Sequence, residues 1–307
     1  MGQLGLIVVA VVIVIAVIAT YPILLAIIIP AIGLGIWYVR KTRIDKVKEE
    51  KQSTLIAETK AKEKANLDAE RKNLYKENRI NKFTGLMDTI QRTEITQNTA
   101  AKHEKFNVKS FYVDVNPLRA NTPLNRLLDF VVIDVETTGL TANLNSIVQV
   151  TAIRFEDFQP TEMFSTYINP TKPIPEDAIK IHGITDEMVK DAPVFDWVID
   201  SLDEFIGKSN LVGHNLTFDL KFLYKNGYDF LKHKRMLFDT LEISKSIDKD
   251  AYSRKLTDLC KDNSILFPDA HSSEPDALAA GLLFLMYIRD KIDIDYKQYP
   301  HILDHWR

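Results

Sequence analysis

Asp134 and Glu136 stand two residues apart in the run Val131-Val-Ile-Asp-Val-Glu-Thr-Thr-Gly-Leu140. The apolar residues around them read as a buried strand that ends in a Thr-Thr-Gly turn. Side chains alternate along a strand, so both carboxylates project to one side. Two anions about 4 Å apart repel by roughly 4 kcal/mol at an effective dielectric of about 20. A fold keeps such a pair when a cation lies between them or when one takes up a proton. The spacing therefore points to a divalent-metal site at the end of a strand. Taken alone, an Asp-x-Glu at a surface strand edge would look the same.

Three more polar clusters interrupt apolar segments. Gly213-His-Asn-Leu-Thr-Phe-Asp219 follows a short buried strand and places Asp219 at the start of a helix. His271-Ser-Ser-Glu-Pro-Asp276 places Asp276 in the first turn of another. The third is Ile181-His-Gly-Ile-Thr185. Singly, each has a plain structural use: Asp is favoured at helix N-termini by the dipole, Asn215 suits a turn, and His271 suits a loop. As a set they supply four carboxylates and a base. Two Mg²⁺ or Mn²⁺ ions about 3.5–4 Å apart need that many hard oxygen ligands, with positions left for phosphate and water.

On these residues the sequence resembles the DEDD 3′–5′ exonucleases, among them the epsilon subunit of bacterial DNA polymerase III, RNase T and oligoribonuclease. The carriers are Asp134-Val-Glu136-Thr-Thr-Gly, His214-Asn-x-x-Phe218-Asp219 and His271-x4-Asp276, with the Ile181–Thr185 element similar to the epsilon-type subgroup. The likeness covers about residues 128–290 and implies a ribonuclease H-like fold. It is to the His branch: Ser272 stands where the other branch has Tyr, and His271 precedes it. Gln149, Ser273 and Pro275 depart from the usual pattern without removing a carboxylate.

By resemblance, Asp134 would bridge two ions, and Glu136 and Asp276 would complete the site on the nucleophile side. Asp219 would hold a water on one ion or stand just behind the ligands. His271 would take the proton of the attacking water, a task suited to a group titrating near pH 6.5. Thr137, Thr138, Leu140, His182 and Phe218 would meet the terminal nucleotide. The substrate would be a single-stranded DNA or RNA 3′ end and the product a nucleoside 5′-monophosphate. No clamp- or polymerase-binding motif is evident.

The elements that must position these residues form an α/β domain: a mixed sheet flanked by helices. Strands are expected at Phe130–Ile133, Ile147–Phe155, Phe164–Ile168 and Leu211–Gly213. Helices are expected at Pro175–Ile181, from Thr185, from Pro193 to Ile206, at Phe218–Asn226 and at Pro275–Arg289, the last capped by Ser272 or Ser273. The connector 106–127 precedes this domain and the tail 291–307 follows it. The lone Cys260 lies at helical spacing from Leu256 and Leu259 and reads as core; one cysteine excludes an intrachain disulfide and a Cys-based zinc site.

Upstream the composition changes twice. Residues 1–39 contain no Asp, Glu, Lys or Arg, and about 20 apolar residues suffice to span a bilayer. The stretch reads as one tilted span or as a hairpin of two short helices, with Thr20-Tyr21-Pro22 a plausible break and Pro30 a second kink point. Arg40, Lys41, Arg43, Lys46 and Lys48 follow, which places the catalytic part on the cytoplasmic side. Trp37 and Tyr38 fall where an interfacial belt would be. Residues 40–105 carry 17 basic against 11 acidic residues and read as a solvated helical stalk; residues 106–307 carry 22 against 31. Three functions follow: a membrane-tethered exonuclease, a silent nucleic-acid-binding module that keeps the fold, or a membrane scaffold.

Overall fold

The computed structural model describes residues 11–16, 19, 22–95, 103–108, 111–265 and 272–291. The chain divides into two units, Met1–Leu74 and Tyr75–Arg307. Helix α1, Pro22–Thr89, begins in the first and ends in the second. Lys, Glu, Ala and Gln favour helix along its middle. Pro30 lies inside α1 without ending it. The break expected at Thr20-Tyr21 falls outside the described residues.

In the first unit Ile32, Leu34, Ile36, Trp37 and Tyr38 are exposed, and the Lys41 ammonium lies 5.0 Å from the centre of the Trp37 ring. Among the described residues no helix is long and apolar enough to cross a membrane, so the span expected over 1–39 finds no support there. Residues 1–10, 17–18 and 20–21 of that stretch fall outside the described residues.

The second unit is built on a six-stranded sheet. Strands β2 (Phe130–Thr137), β3 (Ile147–Glu156) and β4 (Gln159–Tyr167) form an antiparallel meander. Strands β5 (Asn210–Gly213) and β6 (Leu237–Asp239) continue the sheet in parallel beyond β2. A two-residue strand β1 (Gln91–Arg92) pairs in parallel with β4, giving the order β1-β4-β3-β2-β5-β6. The helices are α2 (Glu176–His182), α3 (Asp186–Val189), α4 (Ile199–Ile206), α5 (Leu216–Lys225), α6 (Thr240–Ile247), α7 (Leu256–Asp262) and α8 (Ser273–Lys291). The helix expected from Pro193 is divided: a 3₁₀ turn, Phe195–Trp197, precedes α4.

The strand period sorts the core into two faces. Phe130 and Val132 of β2 pack with Phe155 and with α8, α7 and α6. Val131, Ile133 and Val135 pack with α4 and α5 on the opposite face. Phe130 stacks on Phe155 at 4.7 Å and meets Phe284 edge-on at 5.1 Å, each pair contributing about 0.5–1.5 kcal/mol beyond simple burial. Gly281 lets α8 lie directly on the sheet, because a Cβ there would run into the Phe155 ring. Cys260 is fully buried in this layer, as expected, and burial pushes its thiol pKa up.

Two segments expected to lie outside the domain belong to it. The stalk expected over 40–105 gives way early: Phe83 and Ile90 are buried in the core, and Gln91–Arg92 is a strand of the sheet. In the connector 106–127, Val108, Leu118 and Leu127 are buried. Phe106 stacks on Tyr224 at 4.3 Å. The Asn116 N–H donates to the Leu237 carbonyl at 2.6 Å and its side-chain oxygen accepts from the Leu237 N–H at 2.8 Å. These bonds occupy the outer edge of β6, which would otherwise expose unpaired backbone groups.

Candidate active site

Strand β2 runs through both carboxylates to Thr137, beyond the apolar run Phe130–Ile133. Asp134 and Glu136 share the parity of Phe130 and Val132, so they project from the face that α8 covers. Strand β5 ends at Gly213, short of Val135. The Val135 N–H, left without a strand partner on that side, donates to Oδ1 of Asp219 at 3.0 Å. Asp219 is thereby fixed beside the strand, and it is almost fully buried, at 3% exposure.

Asp219 sits in the first turn of α5, whose start is set by Asn215 in the left-handed conformation (φ 65, ψ 40). Asn215 is held in turn: its N–H donates to Oδ1 of Asp239 at 2.9 Å, and the same oxygen caps α6 by accepting from the Leu241 N–H at 2.9 Å. His214 bonds Thr240 Oγ1 at 2.9 Å and the Arg254 carbonyl at 3.0 Å, and burial pushes its pKa down to about 4. It is a neutral clasp between loops. Asp239 is a positioning residue for which the sequence offered one signal, an Asp at the junction of an apolar strand and a helix.

Helix α8 supplies the third carboxylate. Its first residue, Ser273, is buried, and its hydroxyl meets Thr151 Oγ1 at 2.6 Å. Thr151 lies directly across from Asp134 in the β2–β3 register. This bond seats the first turn of α8 over the acidic end of β2. Oxygens of Asp134, Glu136 and Asp276 consequently lie within 4.8 Å of one another.

The charges in this cluster are not balanced from within. Burial raises the Asp134 pKa well above the usual carboxylate range, and Asp219, Asp276 and Glu136 push it further. Glu136 is raised to about 7, first by burial and then by Asp276. Burial also raises Asp219, against the Val135 N–H, which favours its charged form. Every charged neighbour that shifts Asp134 is itself an acid. Half-buried carboxylate oxygens at this spacing fit a hard divalent cation.

Comparison with known proteins agrees with the geometry. Residues 131–284 match the exonuclease (RNase_T) family. The chain belongs to this exonuclease family. It is 30% identical over 214 residues to the PolC-type DNA polymerase III of Bacillus cereus, covering 66% of this chain and 15% of that protein. It is 33% identical over 185 residues to the 3′-5′ exonuclease DinG of Bacillus subtilis, covering 58% and 20%. The chain thus spans about a fifth or less of the length of these relatives. Among solved structures, E. coli exonuclease I in complex with an oligonucleotide aligns with a TM-score of 0.47 and 21% identity over 58% of this chain and 42% of that one. Exonuclease X in complex with 5′ overhanging duplex DNA aligns with a TM-score of 0.41 and 22% identity over 56% and 98%.

Of the other residues expected at the site, Thr137 ends β2 and Thr138 follows it. Thr137 donates through its hydroxyl to the Gly139 carbonyl at 2.9 Å. Thr138 accepts from the Ser146 N–H at 3.0 Å, and its own N–H reaches the Ser146 carbonyl at 2.9 Å, which closes the 138–146 loop. Leu140, on that loop, is 84% exposed. Phe218 is half-buried against Phe222, with ring centres 4.9 Å apart. His182 is buried at the end of α2. Its Nδ1 accepts from the Ile184 N–H at 3.0 Å, which leaves the proton on Nε2. That Nε2–H lies by the Thr137 backbone without closing a well-aligned bond, and burial lowers the ring's pKa. Gln149 lies across from Glu136, with its Oε1 buried and accepting no bond among the described residues. His271 lies outside the described residues.

Proposed function

We propose that this chain is a divalent-metal-dependent 3′–5′ exonuclease that trims single-stranded DNA or RNA ends to nucleoside 5′-monophosphates. The observation that carries the reading is the convergence of Asp134, Glu136 and Asp276 within 4.8 Å. Family membership supports it, as does the relative named a 3′-5′ exonuclease. Asp134, Glu136 and Asp276 would hold two Mg²⁺ or Mn²⁺ ions, with Asp219 beside them. When bound, such ions neutralise the scissile phosphate and supply a nucleophilic water at neutral pH.

The chain's own groups do the rest. Glu136 and Asp134 stay ionised once a cation faces them, since the repulsion that raises their pKa values is then offset. Asp219 holds β2 in place through the Val135 N–H. His271, one residue before Ser272, takes a proton from the attacking water. His182, neutral and carrying its proton on Nε2, donates to the terminal nucleotide. Thr137 and Thr138 shape the loop against which that nucleotide rests. Leu140 and Phe218 give its base apolar surface to stack on.

The test is the full chain incubated with 5′-labelled single-stranded DNA and RNA, with Mg²⁺, Mn²⁺ or EDTA. Metal-dependent release of mononucleotides, lost in Asp134→Ala, is expected. A ladder that persists in Asp134→Ala, or no ladder on either substrate, overturns the reading.

We further propose that residues 1–39 tether the chain to a membrane, with the catalytic domain on the cytoplasmic side. The support is the absence of charge over those residues and the basic run that begins at Arg40. Carbonate extraction of cells expressing the full chain is expected to leave it in the membrane pellet, and release into the supernatant refutes the tether.

A further inference from the structure

One ion pair reaches the first turn of α8 from a residue outside the stretch matched by the exonuclease family. Arg92, on the two-residue strand β1, meets Glu274 through both terminal guanidinium nitrogens, Nη1 to Oε1 at 3.1 Å and Nη2 to Oε2 at 3.3 Å. The partners are 182 residues apart in the chain, and the family match covers residues 131–284. Other ion pairs of the unit, Lys180 with Asp177, Lys190 with Glu187 and Lys245 with Glu242, join neighbours three residues apart on one helix. A paired fork between arginine and carboxylate fixes direction as well as distance.

The strand that carries Arg92 is itself held. Gln91 and Arg92 pair with Glu162 and Met163 of β4, and the Thr93 N–H donates to the Met163 carbonyl at 2.9 Å. Phe83 and Ile90, just before the strand, are buried in the same core layer as α8. Arg92 therefore grips α8 from a fixed base, although its own side chain is 61% exposed.

The grip bears on the acids. An α-helix turns about 100° per residue, so Ser273 lies about 60° around α8 from Asp276, and Glu274 about 160° from it. Ser273 is tied to Thr151 on the sheet. Arg92 ties the far side of the same turn. One tie alone would let the turn roll about the helix axis. The two together set where the Asp276 carboxylate points, and its oxygen lies within 4.8 Å of those of Asp134 and Glu136.

We propose that Arg92 is a positioning residue of the metal site: by holding Glu274 it sets the Asp276 carboxylate at the spacing a divalent cation needs. It acts through Glu274 and touches neither ion nor strand. The inference rests on the metal-dependent exonuclease reading. Two other roles for Arg92 make different predictions. A cation that acts by charge alone opposes a metal ion, so its loss would tighten metal binding. A contact to a strand phosphate would show in KM for the strand. Loss of a positioning residue weakens metal binding and leaves that KM alone.

Full-length Arg92→Gln, Glu274→Gln and the double variant are compared with the parent chain by two measurements. One is Mn²⁺ binding, read from the paramagnetic resonance signal of the free ion. The other is turnover of an oligothymidylate across a Mn²⁺ series. The Mn²⁺ Kd should rise about tenfold in each single variant, the lower end of what loss of a group behind the ligands costs. The double variant should bind no worse than either single one, because both residues act through one contact. Excess Mn²⁺ should restore most of the turnover, with KM for the strand unchanged. The melting temperature in EDTA should move little, since an exposed ion pair contributes little to stability. Unchanged or tighter Mn²⁺ binding in Arg92→Gln, additive losses in the double variant, or a raised strand KM at saturating Mn²⁺ overturns the positioning role and leaves the exonuclease reading standing. A parent chain that binds Mn²⁺ but releases no mononucleotides overturns the exonuclease reading, while the Kd comparison still decides the role of Arg92.

Discussion

Two groups of polar residues lie close together at the ends of the central strands, and they are built on opposite plans. Asp239, Asn215, His214 and Thr240 satisfy one another and the nearby backbone, so little is left for a ligand. Asp134, Glu136 and Asp276 bring charge of one sign within 4.8 Å, and the neighbours that shift Asp134 are themselves acids. The first stands at the ends of β5 and β6 and the second at the end of the neighbouring β2. The difference teaches that burial of polar residues does not by itself mark a site. Unresolved repulsion does, because it lowers stability unless a ligand relieves it.

The sharpest way to break this contrast is to remove one acid from the unbalanced group. Asp134→Asn should lower turnover at least about a thousandfold, about 4 kcal/mol in barrier. It should also raise the melting temperature in EDTA, because the repulsion it takes part in is gone. A parallel fall in activity and metal-free melting temperature would show instead that Asp134 is held for structure.

The next largest effect is with pH. The Glu136 pKa is raised from 4.5 to about 7 in the folded chain. Between those values the folded state binds the proton more tightly than the unfolded state. Metal-free stability is therefore highest below about pH 4.5 and falls as pH rises through 7, by at most about 3 kcal/mol from this group. Asp134 and Asp219, also raised, add in the same direction. Denaturant melts in EDTA from pH 5 to 8 measure this. Saturating Mg²⁺ should stabilise more at pH 8 than at pH 5, and an equal gain at both would separate the acids from cation binding.

The balanced group should respond differently. Asp239→Ala removes a helix cap and the acceptor of the Asn215 N–H, costing about 2 kcal/mol. Its melting temperature should fall by the same amount with and without Mg²⁺, and rescue by Asp239→Asn is expected to be partial. Smaller still is Ser273→Ala, which breaks the hydroxyl pair with Thr151 and should cost about 1 kcal/mol. Since Ser273 seats Asp276, kcat should drop severalfold while KM changes little.

The sequence marked the carboxylates better than the scaffold around them, for physical reasons. Period-two alternation made it plain that Asp134 and Glu136 face one way, and helix starts with Asp219 and Asp276 were visible as polar breaks in apolar runs. The apolar pattern alone stops at Ile133, because charged residues interrupt it while the backbone pairing with β3 continues through them. Strand β1 has two residues and owes its form to β4, far along the chain. Nothing local distinguishes it from the polar helix before it. The role of Asn116 at the β6 edge depends on a partner 121 residues away. Helix α6 also escaped, since its start is signalled chiefly by Asp239, whose cap bond needs the fold around it.

Gly281 carries a last consequence. It lies five residues beyond Asp276, where α8 touches the Phe155 ring with no room for a methyl group. A single extra carbon there would prise the helix from the sheet and swing its acidic end out of register, although no charge has changed and no ligand is touched. Exchange to alanine should give a protein that works in the cold and fails on warming, a conditional allele written in one added methyl group.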